Sequence, residues 1–462
     1  MVLGRATQVR AQADAPAARV GDTTVTIADV DRQCGDKCAR LLAEIAAQRQ
    51  RTLDLLVDEA LLAAAPSPTP AAMPVSDDEV DRYRIAHAAE LTGDELRDRA
   101  AVRFLLEREQ REARDRTLLA EMRRRTPPRV DRADGAASVG STRITAREVD
   151  ARAALALYRL RGELARERLR QLTAVVDERL WELEARAKGT TADDLRAQVA
   201  ADAPPVTETD IHRYFVDEVK PKDPKAVESP ERIRPYLEFR SRKAAEEAAL
   251  AAIRRTTPVQ VLLAEPVPPR FALGVMPSAL SGRPNAPVRL VYLTSFRGGA
   301  SRVLWESLRA WGEQGDPDVA LAVRPLLPQW DPDAMGVAAA VECAAQQGRW
   351  WPVLDSLSRA DPLPDARAIY KIARAAGLDE KRFAYCVSQP ETPDAIRQAS
   401  REAERLGLAE PPIVLVNGGA LGAPSADRLA AAIAKARGDA AKGSVGQGAA
   451  VSAPSSRASA SP

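Results

Sequence analysis

The sequence predicts a multidomain protein in which a mainly α-helical tandem repeat precedes an α/β domain. The chain has 462 residues with 45% hydrophobic content, which is more than one hydrophobic core accommodates. Aromatic residues make up only 4%, and long stretches rich in Ala, Leu, Arg and Glu favour helices. The run "PVRLVYLT", followed by a loop of small residues and an amphipathic stretch, predicts a buried strand that leads into a helix after residue 286.

The helical part contains one sequence unit twice. "RVGDTTVTIADVD" at residues 19–31 matches "SVGSTRITAREVD" at residues 138–150, an offset of 119. "PVSDDEVDRYR" from Pro74 matches "PVTETDIHRYF" from Pro205, at an offset of 131. The second copy therefore has twelve extra residues, within "ARAKGTTADDLRAQVAADAP". We call residues 16–131 the first repeat and residues 135–263 the second repeat.

Both repeats have clear signals for helix starts. A hydroxyl residue is followed three positions later by an acidic residue, which is the capping-box pattern or its aspartate variant, in these pairs: Thr26 with Asp29, Ser76 with Glu79, Thr145 with Glu148, and Thr207 with Asp210. A short strand at each end of a repeat is expected to pair and close it. The strand near Arg19 is expected to pair with the one near Val130, and the strand near Ser138 with the one near Val261.

These repeats resemble the N-terminal chaperone domain of SurA-type periplasmic foldases. The resemblance rests on "VGDTTVTIADVD", "LDLLVDEALL" and "VSDDEVDRYR", on their counterparts in the second repeat, and on "RIRPYLEFRSRKAAEEAALAAIRR". In that family a parvulin prolyl isomerase domain often lies between the Tyr-containing helix and the last long helix. The stretch between those elements is too short here for such a domain. The resemblance therefore implies the part that cradles unfolded chains, without isomerase activity.

The sequence after Ala264 differs in character. Residues 264–285 are rich in proline and small residues and predict a linker that lies extended along the next domain. Residues 286–436 resemble a DsbA-like thioredoxin-fold domain with a helical insertion. The resemblance rests on the strand and loop described above and on "CAAQQGRWW", "GLDEKRF" and "PPIVLVNG". It implies a cis-proline at Pro412, facing the position of the family's active site.

Two parts that act in active relatives are missing from this domain. The family's Cys-x-x-Cys positions are occupied by Gly298 and Ser301, with Gly299 and Ala300 between them, so no mixed disulfide can form there. Serine catalysis is not expected either, because the only two histidines of the chain, His87 and His212, belong to the repeats. In relatives, the residue before the cis-proline pairs its backbone with substrate. Pro411 has no N–H to donate.

The four cysteines have separate interpretations. In relatives, cysteines at the positions of Cys343 and Cys386 are sometimes joined, so the resemblance implies a structural disulfide, with two small buried apolar residues as the alternative. Cys34 and Cys38 have Ala153 and Leu157 as their equivalents in the second repeat. They are interpreted either as core-facing residues or as a disulfide that acts as a local staple or redox site. No metal or other cofactor is expected, because no further Cys or His lies near them in sequence.

Charge and hydropathy argue against nucleic acid as a partner and against a transmembrane segment. Lys plus Arg number 67 and Asp plus Glu 65, so no net field directs the chain to nucleic acid. No run of 18 apolar residues predicts a transmembrane segment. Residues 1–15 contain an Ala-x-Ala triplet at Ala11–Ala13 without a complete signal peptide, and are interpreted as the remnant of a targeting segment or as chance. Residues 437–462 are expected to be a disordered tail.

The sequence therefore predicts non-catalytic, chaperone-like binding of unfolded or secreted polypeptides. By resemblance to both families, the place is the periplasm or another extracytoplasmic compartment. Enzyme activity is not expected, since the catalytic cysteines and the parvulin domain are both missing. Three alternatives remain open: a thiol-disulfide oxidoreductase or isomerase-related protein that uses Cys34 and Cys38, a scaffold subunit of an envelope assembly, and a helical spacer without a client.

Overall fold

The computed structural model describes residues 14–65, 75–88, 95–131, 135–274, 280–283, 285–313, 316–327, 331–360 and 362–441. Most of the predicted targeting remnant and the tail from residue 442 onward lie outside these residues. The chain divides into two compact units, each assembled from two separate stretches. Unit A combines residues 1–45 with residues 160–266, and unit B combines residues 46–159 with residues 267–462. The units therefore do not coincide with the two repeats.

The two repeats contain similar elements in the same order. The first repeat has β1 (Pro16–Val20), β2 (Thr23–Thr26), α1 (Ile27–Cys34), α2 (Asp36–Ala63), α3 (Asp77–Ala86), α4 (Glu95–Arg125) and β3 (Arg129–Asp131). The second repeat has β4 (Ala136–Val139), β5 (Thr142–Ile144), α5 (Ala146–Arg152), α6 (Ala154–Ala187), α7 (Ala192–Ala201), α8 (Glu208–Tyr214), a π-helical turn (Phe215–Val219), α9 (Pro230–Thr256) and β6 (Val259–Val261). Helix α7 lies within the stretch that contains the extra residues, and no corresponding helix is among the described residues of the first repeat.

The helix starts are where the sequence predicts them. All four predicted capping boxes are formed, so the hydroxyl of each cap residue accepts an amide hydrogen bond and the acidic residue bonds back to the cap. At the start of α1, for example, the Thr26 amide donates to Asp29 over 2.9 Å and the Asp29 amide donates to Thr26 Oγ1 over 3.2 Å. These bonds satisfy early amides that the helix itself leaves unpaired.

The predicted strand pairing within each repeat is wrong. Strand β1 pairs with β2 and with β6, so that Arg19 lies opposite Gln260 of the second repeat. Strand β3 of the first repeat pairs instead with β4, where Arg129 lies opposite Ser138. Each three-stranded sheet thus joins the hairpin of one repeat to the last strand of the other.

The length of helices α2 and α6 explains this exchange. Helix α2 has 28 residues and α6 has 34, and a continuous helix rises about 1.5 Å per residue. The apolar stripe in the second half of each helix therefore begins about 25 Å from the helix start. At that distance it is too far away to cover the hairpin of its own repeat. In unit A that stripe of α6, Leu172, Val176 and Leu180, packs on the β1–β2 hairpin. In unit B the stripe of α2, Leu53, Val57 and Leu61, packs on the β4–β5 hairpin.

A pair of reciprocal ion pairs accompanies the exchange. In unit B, Arg49 donates two hydrogen bonds to Asp150, of 2.7 and 2.8 Å. In unit A, Arg168 donates two hydrogen bonds to Asp31, both of 2.7 Å. The offset of 119 converts one pair into the other, so the same contact is made twice with the roles of the repeats reversed. Bidentate pairs of this kind fix orientation as well as adding energy.

The remaining part of unit B is built around a five-stranded sheet. Its elements are β7 (Leu280–Ser281), β8 (Val288–Thr294), α10 (Gly298–Glu313), β9 (Val319–Pro325), α11 (Pro332–Ala345), α12 (Trp350–Ser358), α13 (Ala366–Ala375), α14 (Glu380–Ser388), α15 (Glu391–Arg405), β10 (Ile413–Val416), β11 (Gly419–Gly422) and α16 (Ala426–Ala441). The strand order is β11-β10-β8-β9-β7, with only β8 and β9 parallel. Helix α16 extends to Ala441, so residues 437–441 are helical and the prediction of a disordered tail is wrong for them.

The two faces of this sheet have separate cores. One face packs against α10, α16 and α11–α14, which are four of the five helices between β9 and β10 in the sequence. The other face packs against α15, Phe271 of the predicted linker, and Leu155 of helix α6. The linker runs along the edge strand, because the Phe271 amide donates to the Gly418 carbonyl over 2.8 Å and the Ala420 amide donates to the Pro269 carbonyl over 2.9 Å.

None of the helices within the described ranges is long and apolar enough to cross a membrane.

The reciprocal ion pairs give a matched test of the exchange. Side-chain exposure is 17% and 25% for Arg168 and Asp31, but 39% and 41% for Arg49 and Asp150. Because water screens the more exposed pair, we expect Arg168→Ala to lower the free energy of unfolding by about 2 kcal/mol and Arg49→Ala by less than about 1 kcal/mol. Urea denaturation followed by circular dichroism measures both. Equal losses of stability in Arg168→Ala and Arg49→Ala would contradict the expectation that the more buried ion pair contributes more.

Candidate functional site

The first turn of helix α10 contains Gly298, Gly299, Ala300 and Ser301, the residues predicted to stand at the family's Cys-x-x-Cys positions. Strand β8 leads through Ser295–Arg297 into α10, which begins at Gly298 with a φ of +83°. Gly298, Gly299 and Ala300 are exposed, whereas Ser301 is buried at 3% exposure. A side chain at Gly298 would meet open space, but its left-handed backbone disfavours any residue other than glycine. A cysteine at position 298 would therefore be strained by this backbone.

Within the part of the chain that the structure describes, no base is hydrogen-bonded to Ser301. Its Oγ is buried and has no hydrogen-bond partner, while its carbonyl accepts a hydrogen bond of 3.0 Å from Tyr292. Burial raises the pKa of Tyr292 to about 12, so this phenol stays protonated at neutral pH and is a poor base. His87 Nδ1 lies 3.1 Å from the Tyr83 carbonyl and His212 Nδ1 lies 2.9 Å from Glu228, so both histidines are engaged within the repeats.

The proline loop lies between α15 and β10. The peptide bond between Pro411 and Pro412 is cis, and both residues are half-buried. Pro411 and Pro412 both lack a backbone N–H, so neither can donate a hydrogen bond to an extended peptide. Just before this loop, Glu410 accepts a hydrogen bond of 2.9 Å from Arg159 of helix α6. The loop is therefore tied to the second repeat within unit B.

An ion pair that sequence reasoning missed holds the residue before α10. Arg297 donates to both carboxylate oxygens of Asp331, and to Asp333 over 3.3 Å. Asp331 also caps helix α11 by accepting from the amides of Asp333 and Ala334, each over 3.1 Å. The sequence "DPD", with Pro332 at the first helical position, is a helix-start signal that would have identified the cap. The contact with Arg297 spans 34 residues and has no local signal.

The environment of Asp331 favours its charged form. Burial alone raises the pKa of this carboxyl, but the hydrogen bonds from Arg297 and from the two amides outweigh that effect. The pKa of Asp331 is consequently lowered from its ordinary value, and the charge of Arg297 is neutralised beside the α10 start. An anion at the free amides of this helix would therefore meet a carboxylate rather than an unpaired guanidinium.

All four cysteines form disulfides. Cys34 is joined to Cys38 across the α1–α2 junction with a Cα–Cα distance of 5.6 Å. Cys343 of α11 is joined to Cys386 of α14 with a Cα–Cα distance of 5.8 Å. Cys38 is fully buried, as is its equivalent Leu157 in the second repeat. Among the described residues no group of three or more His, Cys, Asp or Glu side chains is arranged to bind a metal.

The topology of residues 280–441 defines the class of this part of the protein. A parallel β-α-β unit, a helical insertion, and then a helix, an antiparallel strand pair and a final helix are the order of a DsbA-type thioredoxin-like fold. At the start of α10 this part of the chain has Gly298 and Ser301, and neither carries a sulfur.

Solved structures of thioredoxin-like proteins are similar to part of the chain, over 35% to 37% of its length in three of them. A thioredoxin-like oxidoreductase from Silicibacter pomeroyi DSS-3 is 25% identical, with a TM-score of 0.32, over 35% of this chain and 94% of that one. The thiol-disulfide exchange protein α-DsbA2 from Wolbachia pipientis is 14% identical, with a TM-score of 0.32, over 35% of this chain and 87% of that one. Oxidised BdbD from Bacillus subtilis is 12% identical, with a TM-score of 0.32, over 37% of this chain and 98% of that one. No protein-family model and no curated protein matches the chain.

The two disulfides should differ in their effect on stability because they close loops of different length. The bridged cysteines are 4 residues apart in one case and 43 in the other. Loop-closure entropy then gives about 2 kcal/mol for Cys34–Cys38 and about 4 kcal/mol for Cys343–Cys386. We expect Cys34→Ala/Cys38→Leu, which installs the residues of the second repeat, to cost less stability than Cys343→Ala/Cys386→Ala. Urea denaturation of both variants measures this, and the reverse order would refute it.

Asp331 should contribute stability that depends on pH. Its pKa is lower in the folded than in the unfolded chain, so its contribution is complete above the unfolded value of about 4 and is lost as the pH falls through the folded value. Asp331→Asn keeps a capping side chain but loses the charge, and we expect a cost of about 1–2 kcal/mol at pH 7 that shrinks toward pH 3. Thermal melts across this range measure it. The control Asp333→Asn, whose bond to Arg297 is longer, should show a smaller loss, and a cost for Asp331→Asn independent of pH would contradict the assignment.

Proposed function

We propose that this protein binds unfolded or secreted polypeptides in the bacterial cell envelope, in a chaperone-like and non-catalytic manner. One observation carries the proposal. Apolar side chains are exposed near the junction of α8, the π-helical turn and α9: Val216 at 40%, Tyr236 at 45% and Phe239 at 63%. We call this the α8–α9 surface. Exposed aromatic residues contribute large contact area at low entropic cost and are typical of protein-binding surfaces.

The α8–α9 surface lies over a small buried core. Beneath it Ile211, Phe215 and Ile233 form a small core of their own. Tyr236 packs against Tyr214 with ring centroids 5.3 Å apart, and the Arg240 guanidinium lies 5.8 Å from the Tyr236 ring centroid. Side chains held in this way lose little further freedom when a polypeptide binds, which favours association.

The first repeat has a related feature. Ile85 occupies the position that Val216 occupies in the second repeat, and it is 79% exposed. Tyr83 likewise corresponds to Tyr214, and it stacks on His87 with ring centroids 4.0 Å apart. An exposed aliphatic residue next to a tyrosine thus occurs at equivalent places in both repeats. This duplication supports a role in contacting other chains, as does the resemblance of residues 16–131 and 135–263 to the chaperone domain of SurA-type foldases.

The thioredoxin-like part supports the absence of catalysis. Gly298 and Ser301 supply no thiolate, Gly298 has a left-handed backbone, and Pro411 has no amide to offer. The envelope location is supported by the two disulfides, which persist mainly in oxidising compartments. Use of the Cys34–Cys38 disulfide as a redox site has less support, because one of its two sulfurs belongs to a fully buried residue.

Suppression of aggregation tests the proposal on the full chain. An unfolded outer-membrane protein is diluted into buffer with increasing amounts of the protein, and light scattering is followed. We expect suppression at near-stoichiometric amounts, and a loss of several-fold in the double variant Tyr236→Ser/Phe239→Ser. The matched control is Tyr385→Ser, which removes another exposed aromatic, 69% exposed, from helix α14.

Each outcome bears on the proposal. Retained suppression in Tyr385→Ser with loss in the double variant supports the α8–α9 surface, provided that circular dichroism shows both variants folded. An equal loss in both variants would refute this surface as the binding site. If the unmodified chain does not suppress aggregation, chaperone-like binding is wrong, and a stable stoichiometric partner would then indicate a scaffold subunit.

A further inference from the structure

The extra residues of the second repeat form one wall of a pocket in unit A. Helix α7 starts at the N-cap Thr191, whose Oγ1 accepts from the Asp194 amide over 3.2 Å, and it packs on α9 through the buried Leu195. The pocket lies between α7, the end of α6 and the end of α9. Its volume is about 250 Å³, and its apolar lining consists of Trp181, Leu195, Val199, Ala249, Ala252 and Ile253.

The space exists because small residues face a large aromatic one. Ala249 and Ala252 on α9 correspond to Leu118 and Glu121 in the first repeat, where Leu118 packs against the core of unit B. Trp181 corresponds to Leu62 and is buried at 4% exposure. The Arg196 guanidinium of α7 lies 5.4 Å from the centroid of the Trp181 ring, and it is itself paired with Glu178 and Asp193. The wall that Trp181 forms is thus held in position from outside the pocket.

The size and lining of the pocket limit what it can hold. Pockets for drug-sized ligands or cofactors begin at about 300 Å³, and this pocket is smaller. It suits one large side chain, and a leucine or phenylalanine side chain gains its full burial energy only in such an apolar lining. At the rim Glu184 pairs with Lys188 over 3.0 Å, and Thr256 is exposed. A carboxylate and an ammonium side by side offer an acceptor and donors for the N–H and C=O of an extended peptide.

We propose that this pocket receives a single phenylalanine or leucine side chain of a bound extended polypeptide. The inference rests on the proposed function and adds to it a specific anchor, apart from the α8–α9 surface. It also assigns a purpose to the twelve extra residues, since they supply Leu195 and Val199. The second repeat then differs from the first in selecting large apolar side chains.

Fluorine NMR on the full chain labelled with 5-fluorotryptophan tests this directly. Trp181 is the only tryptophan of the repeats, since the others lie between residues 305 and 351, so one resonance reports on the pocket. Trp181→Phe assigns that resonance. The probe is a short capped peptide of Gly, Ser and Asn with one central Phe, and the reference peptide has Ala in its place. We expect a saturable shift of the Trp181 resonance with the Phe peptide and none with the Ala peptide.

A filling substitution and its neighbour complete the test. Ala252→Leu occupies the pocket and should weaken the affinity for the Phe peptide by about tenfold or more, the loss expected when a large apolar side chain is denied burial. Ala251→Leu places the same side chain on the exposed side of α9 and should leave the affinity unchanged. Equal shifts with both peptides, or an unchanged affinity in Ala252→Leu, would overturn the proposal.

The aggregation assay distinguishes this proposal from the function on which it rests. If the unmodified chain suppresses aggregation but the Trp181 resonance does not respond to the Phe peptide, the pocket assignment is wrong and the chaperone-like function stands. If the resonance responds selectively but aggregation is not suppressed, the pocket binds the side chain and the proposed function fails.

Discussion

The unbroken course of helices α2 and α6 is the constraint on which the architecture of the repeats depends. Each helix follows its own hairpin in the sequence and ends in a core that contains the hairpin of the other repeat. Had either helix been interrupted midway, its second half could have folded back, and each repeat could have closed on itself. Because neither is interrupted, both compact units need residues from both repeats, and the two repeats depend on each other for their cores.

The sequence predicts local features well and the pairing of distant ones poorly. The cap at Thr26, the strand at Val288–Thr294 and the helix that begins at Gly298 follow from short-range patterns. The partner of β1 does not, because a three-residue strand such as Val259–Val261 contains too few side chains to specify a register. The same applies to the site, where the glycine and serine positions were predictable but the contact of Arg297 with Asp331 forms only through the tertiary fold.

The thioredoxin-like part has an aromatic core that includes helix α10. Trp305 is fully buried and its indole N–H donates to Asp355 over 3.1 Å, with Trp351 against it at a centroid distance of 5.0 Å. This core lies directly behind the α10 start. Packing energy therefore maintains the frame whether or not the exposed first turn carries cysteines, since large buried aromatic residues dominate core stability.

The contact between Gly407 and the carbonyl of Arg152 limits how this chain can be divided. A Cβ at Gly407 would lie 2.0 Å from that carbonyl oxygen, and nearby Leu155 is buried in the core on the same face of the sheet. A fragment that begins at residue 286 would lose both Leu155 and Phe271, and would expose apolar surface that this fold covers in the full chain. The thioredoxin-like part is thus not an exchangeable module, and its recombination with other proteins would require a substitute for the start of helix α6.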